Sequence, residues 1–154
     1  MDVRHVLCPV DFSETSRAAL RYAVGMCARF DAELTLLHVF QPPGFTLPEG
    51  MVVAGADAFA TLMRDVEVAL TTWRQEAERL GGRAVKTDTA MGSTHPEIVR
   101  YADEHAVDLV VIGTHGRTGI AHALLGSTAE KIVRYAHCPV LTVRAPPVLS
   151  SQER

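Results

Sequence analysis

Leu109-Val110-Val111-Ile112-Gly113-Thr114-His115-Gly116 is the stretch whose reading decides the fold. Its apolar run lacks polar alternation, which predicts a strand buried on both faces, as central strands of a parallel sheet are. The run stops at Gly113 and enters a turn that also holds Gly116 and Gly119. A helix follows, opened by Gly126-Ser127-Thr128, with Ala129, Ile132, Val133 and Ala136 facing inward. The unit is therefore strand, glycine-rich turn, helix.

The same alternation extends outward in both directions. Val6-Leu7-Cys8-Pro9-Val10 reads as a first strand ending at Asp11, and Asp11-Phe12-Ser13-Glu14 as a helix entry with capping residues. Leu20, Ala23, Val24 and Cys27 then follow the spacing of one helix face. Leu34 to Phe40 reads as strand two. Phe59, Leu62, Met63, Val66, Leu70, Trp73, Ala77 and Leu80 form one helical stripe, ended by Gly81-Gly82. Ala84 to Thr89 alternates small or apolar with polar residues, as an edge strand does. Thr94-x-x-Glu97 reads as a capping box with Pro96 in the first turn, and Ile98, Val99, Ala102 and Ala106 as the apolar face of that helix. Pro139 to Val143 is the fifth strand.

Residues 41 to 54 contain Pro42, Pro43 and Pro48 with Gly44 and Gly50, which reads as a long loop of the kind that covers a site or stays mobile. Residues 145 to 154 read as a loose tail. Repeated strand–helix units imply one α/β domain over residues 1–154: an open parallel sheet with helices on both faces and right-handed crossovers. In such sheets a ligand sits at the strands' carboxyl ends, where strand order reverses. If strands one and four are neighbours, that crevice lies between Asp11 and Gly113.

Composition narrows the function classes. A chain of 154 residues with 47% hydrophobic and 21% charged residues buries a core without a metal or disulfide staple. The net charge of −3 and the lack of a dense Lys/Arg cluster argue against nucleic-acid binding. Cys8, Cys27 and Cys138 are odd in number and widely spaced, so they read as small buried thiols. No apolar run approaches a membrane span, and no secretory pattern opens the chain, so a cytoplasmic location is expected.

The turn after strand four carries the chemistry. Glycines let a ligand approach the backbone, successive amides form an anion-binding concavity, and a helix N-terminus adds unpaired N–H groups and about +0.5 charge. Ser127 and Thr128 add hydroxyls, so a triphosphate suits the turn. It is neither a Walker A loop nor a GxGxxG fingerprint. Other readings stand beside this one. Ser127 with Glu130 fits a capping box, Gly113 ends a strand, and Asp11 reads either as a helix cap or as an acceptor for a ribose hydroxyl or adenine amine. His115 reads as a phosphate contact or a turn histidine facing solvent, and Arg117 as a phosphate or subunit contact or an exposed cation. No HExxH-like spacing points to a catalytic metal.

The spacing Gly113-x2-Gly116-x9-Gly126-Ser127 resembles the nucleotide-binding pattern of the universal stress protein family. Val10 to Ser16, Leu36-Leu37-His38-Val39, Asp108 to Arg117 and Cys138 to Val143 also resemble its motifs, in the right order, over about residues 3–144. The resemblance implies a Rossmann-like sheet of five parallel strands, order 3-2-1-4-5, of the adenine nucleotide alpha hydrolase-like kind, and the ATP-binding subclass. It implies Pro9, Val10 and Asp11 against adenine and ribose, and Val39 offering backbone groups to the adenine edge. Gly113, Thr114 and Gly116 would line ribose and phosphates, and Gly126, Ser127 and Thr128 would hold the β- and γ-phosphates with Mg²⁺. It further implies a homodimer paired through Val140 to Val143, which would cover an open edge. Residues 41 to 54 match no motif of the family.

Three readings of function follow: a nucleotide-binding stress or signalling dimer, a slow ATPase or phosphotransfer enzyme on the same site, and a nucleotide-free interaction module. An intact phosphate loop favours the first two, and the lack of an evident base favours the first. Gly126→Val is expected to block phosphate approach while leaving the fold intact.

Overall fold

The computed structural model describes residues 2–41, 44–47, 50–53, 55–115 and 125–144, with the backbone alone for 44–47 and 50–53. Its elements are β1 (His5–Pro9), α1 (Glu14–Phe30), β2 (Glu33–Phe40), β3 (Gly44–Leu47), β4 (Gly50–Val53), α2 (Ala56–Arg79), β5 (Val85–Met91), α3 (Thr94–Glu104), β6 (Leu109–Gly113), α4 (Ser127–Tyr135) and β7 (Val140–Val143). Five strands form a parallel sheet in the order β5-β2-β1-β6-β7. Counted along the chain within that sheet, the order is 3-2-1-4-5, as expected. The chain leaves β1 toward β2 on one side and later returns to β6 on the other, so the order reverses between β1 and β6.

Strand alternation builds two cores. Val6, Cys8, Leu34, Leu36 and Val111 face α1 and α2, where they meet Leu20, Val24, Val66, Leu70 and Trp73. Leu7, Leu37, Val110 and Ile112 face α3 and α4, where they meet Ile98, Tyr101, Ala129 and Ile132. β1 and β6 thus contribute to both faces, and this is why they read as unbroken apolar runs. Each fully buried Leu or Ile contributes about 2 kcal/mol relative to exposure. The edge strand β5 exposes Lys86, Thr87 and Asp88, in keeping with its sequence pattern.

Several local expectations are corrected. The expected loop over 41–54 contains the antiparallel hairpin β3–β4, registered Gly44 with Val53 and Leu47 with Gly50. Phe45-Thr46-Leu47 and Met51-Val52-Val53 are strand-forming runs, and all three prolines fall outside the paired residues. In α3 the cap is Ser93, not Thr94, and no side-chain cap bond forms among the described residues. Glu97 instead pairs with Arg100. Ala106 lies past the end of that helix with φ 48°, and Tyr101 fills the core in its place, its hydroxyl donating to Asp88 Oδ2 at 2.9 Å. Val133, expected inward on α4, is 50% exposed. All three cysteines are free, with Cys8 and Cys27 buried and Cys138 half-buried. Burial pushes each thiol above its ordinary range.

Candidate functional site

The carboxyl ends of β1 and β6 meet at the reversal, and each leads into a helix by a different kind of turn. After β1, Val10 is buried and its N–H donates to Leu37 O at 2.9 Å, one step beyond the last paired residue, Pro9. Asp11 then organises the entry to α1. Its Oδ1 accepts from Ser13 N at 3.0 Å and from Ser16 Oγ at 2.5 Å, while Ser16 Oγ accepts from Asp11 N at 3.1 Å. Ser13 is the N-cap, its Oγ accepting from Ser16 N at 3.2 Å. Asp11 therefore supports the cap without being it. Ser16 is the buried hydroxyl that holds both ends of this turn. Phe12 bridges the turn in the left-handed region, at φ 65°.

After β6, main-chain bonds join the described ends of the turn. Thr114 N donates to Val143 O at 2.8 Å and Thr114 O accepts from Gly126 N at 2.6 Å. The second bond draws the start of α4 onto the end of β6 although eleven residues lie between Thr114 and Gly126 in sequence. Thr114 is buried, and its Oγ1 lies 3.0 Å from His115 Nδ1 in a hydrogen bond. Gly126 is the N-cap of α4, and no side chain caps the helix among the described residues. The expected Ser127–Glu130 capping box is thereby corrected: Ser127 is already the first helical residue, and Glu130 pairs with Arg134 at 3.3 Å. Ser127 is exposed and Thr128 half-buried at the head of the helix.

Both described glycines of the turn have packing reasons to be glycine. A Cβ on Gly113 would lie 2.7 Å from Thr15 Cγ2 and 2.9 Å from Thr15 O, so β6 touches α1 there. A Cβ on Gly126 would lie 2.7 Å from Thr114 O. The expectation that Gly126→Val keeps its fold is therefore corrected, because the new side chain meets backbone before it meets any ligand.

The structure thus gathers Pro9, Val10 and Asp11 at the end of β1 and Gly113, Thr114, Gly126, Ser127 and Thr128 around the end of β6. Val39 lies on the β2 segment that runs past the end of β1, paired with Ala90 of β5 on its other side. Gly116, Arg117 and His122 lie outside the described residues. Sequence reasoning placed Trp73 only on a helical stripe and Thr15, Ser16 and His38 only within motifs, and gave none of them a role at the site. His38 bears a signal in hindsight, a polar ring interrupting the apolar run of β2. Among the described residues no cluster of His, Cys, Asp or Glu could hold a metal ion, and no helix is long and apolar enough to cross a membrane.

A model of the Universal stress protein family matches residues 2–144. Universal stress protein MJ0531 of Methanocaldococcus jannaschii is 33% identical over 145 residues, covering 93% of this chain and 83% of that protein. The solved structure of universal stress protein UspA from Lactobacillus plantarum superposes with a TM-score of 0.79 at 26% identity, covering 94% of this chain and 99% of that one. A universal stress protein crystallised in complex with cAMP shares the fold at a TM-score of 0.74 and 22% identity, covering 95% and 100%.

Proposed function

The chain belongs to the universal stress protein family, and on that premise we propose that it binds an adenine nucleotide, ATP with Mg²⁺, at the carboxyl ends of β1 and β6. The observation that carries this reading is the head of α4, which no side chain caps among the described residues, drawn by the Gly126–Thr114 bond to the point where strand order reverses. A helix start without a side-chain cap keeps N–H donors and about half a positive charge available to phosphate. Ser127 and Thr128 add hydroxyls to the same locus. Pro9, Val10 and Asp11 face adenine and ribose in this reading, Val39 meets the base edge, and Gly113, Thr114 and Gly116 line the ribose and phosphates. Mg²⁺ would accompany the phosphates in this reading and neutralise part of their charge. The cAMP complex of a family member supports an adenine nucleotide as the ligand class.

The same reading makes the protein a nucleotide-dependent stress or signalling dimer. β7 ends the sheet with Val140, Leu141 and Thr142 half-exposed, and an open edge of this kind suits pairing with its copy across a two-fold axis. Sedimentation should give a dimer, and a monomer at high micromolar concentration would remove that part of the reading.

The test of the site is direct. Denaturing the purified protein and identifying the released nucleotide, together with calorimetric titration by Mg-ATP, should reveal an adenine nucleotide. A ligand at a hundredfold excess over Kd stabilises the fold by about 2.7 kcal/mol, so melting should rise. Joint Ser127→Ala and Thr128→Ala substitution should weaken ATP about a hundredfold, because two hydroxyl bonds to anionic phosphate are lost. No released nucleotide, no binding heat and no thermal shift would overturn the assignment.

A further inference from the structure

The nucleotide reading leaves the half-buried His38 without a role, although this residue is bonded to the site's backbone. In β2 the backbone groups of alternate residues point to alternate sides. Leu34 N and Phe40 O are bonded on the β5 side, to Ala84 O and Gly92 N, while Leu37 O accepts from Val10 N on the β1 side. Val39 is odd-numbered like Leu37, so its N–H and C=O point to the side where β1 has ended. Had the parallel ladder continued one step, Val39 N–H would donate to Val10 O. That bond is absent. Val10 O accepts instead from the His38 side chain, with Nδ1 at 2.8 Å. A carbonyl oxygen only accepts, so Nδ1 carries the proton.

The ring is held in the pose that makes this bond. It stacks on Phe12 with centroids 4.5 Å apart and an interplanar angle of 28°. Phe12 in turn meets the edge of Trp73 at 5.6 Å. Phe12 occupies a left-handed conformation that costs a bulky residue energy, and its packing between these rings offsets that cost. The stack therefore couples the turn after β1 to α2.

We propose that His38 is a positioning residue of the nucleotide site: by taking Val10 O it ends the β1–β2 ladder and leaves the Val39 N–H and C=O for the edge of an adenine base. A base edge with an acceptor nitrogen beside an amino group matches one backbone donor beside one backbone acceptor. The proposal rests on the nucleotide reading for its ligand, and on the hydrogen-bond pattern alone for its geometry.

The experiment separates the two. Amide hydrogen exchange by NMR on the nucleotide-free protein should show Val39 N–H unprotected beside a protected Leu37, and in His38→Phe it should become protected as Val10 O turns to it. Phe keeps the stack and removes the donor. Asn places a donor near the position of Nδ1 without the ring. ATP affinity should therefore fall about fivefold to tenfold in His38→Phe and stay within about twofold in His38→Asn. A Val39 amide already protected in the unliganded wild type overturns the proposal, as does a folded His38→Phe that binds ATP like the wild type. Wild-type protein that binds no nucleotide yet exposes Val39 overturns the nucleotide reading, and with it the ligand assigned to Val39, but not the role of His38 in ending the ladder.

Discussion

The two turns that flank the crevice solve the same problem with opposite means. The turn after β1 is cross-bonded within itself. Asp11, Ser13 and Ser16 exchange hydrogen bonds among their own side chains and backbone, and His38 reaches across to take the remaining carbonyl. The described ends of the turn after β6 are tied by main chain, through Thr114, Val143 and Gly126, beside the Thr114–His115 side-chain bond, and among the described residues no side chain caps the head of α4. Cross-bonds of this kind brace the entry to α1. A helix head that no described side chain caps is suited to receive an anion. The difference teaches that polar residue content by itself does not mark the binding side of such a crevice.

The largest expected effect comes from breaking the contact that brings the two turns together. Gly113→Val puts a branched side chain into Thr15, with a Cβ 2.7 Å from its methyl group and 2.9 Å from its carbonyl oxygen. It should cost about 2–3 kcal/mol by overpacking, read as a lower denaturant midpoint. Unchanged stability would mean that β6 and α1 are less closely packed than the comparison requires.

A smaller effect tests the cross-bonded turn. Ser16→Ala removes the acceptor for Asp11 N–H and a donor to its carboxylate at a buried position. The expected loss is about 1–2 kcal/mol, with the onset of α1 loosened in hydrogen exchange. A neutral result would show that water replaces the hydroxyl and that the first turn is not sealed.

The smallest effect uses the thiols to grade the two halves. Cys8 and Cys27 are buried under the first turn's side of the sheet, whereas Cys138, before β7, is half-buried. In native protein Cys138 should react first with a thiol reagent. Burial raises the Cys27 thiol from its ordinary 9.0 to about 11. The folded state therefore keeps its proton while the unfolded chain releases it, so this contribution to stability is complete below pH 9 and fades between about pH 9 and 11. Cys27→Ala should flatten stability over that window. Equal reactivity of all three thiols in the native state would remove the distinction between the halves.

The sheet was legible in the sequence because burial on two faces demands an unbroken apolar run, and Val6 to Val10 and Leu109 to Ile112 are such runs. The full strand order is implied by the family resemblance, and the crevice follows once strands one and four are neighbours. Residues 41–54 misled because prolines and glycines were read as a uniform signal, although they bracket two strand-forming runs. The caps of α3 and α4 fell one residue earlier than the motifs Thr94-x-x-Glu97 and Ser127-x-x-Glu130 suggest. In α4 the reason is the bond from Gly126 N to Thr114 O, a contact eleven intervening residues away that no local motif encodes.

The sequence by itself determined which segments are strands and helices, which strands are central, and which end of the sheet carries glycines, because periodicity and residue size are local quantities. Only the tertiary structure decided that Gly113 is glycine for Thr15, that Ser16 anchors Asp11, and that His38 rather than Val39 bonds to Val10. Those facts depend on pairs of groups brought together across the sheet and its helices, and the energy of a hydrogen bond or a steric contact exists only once both partners are in place.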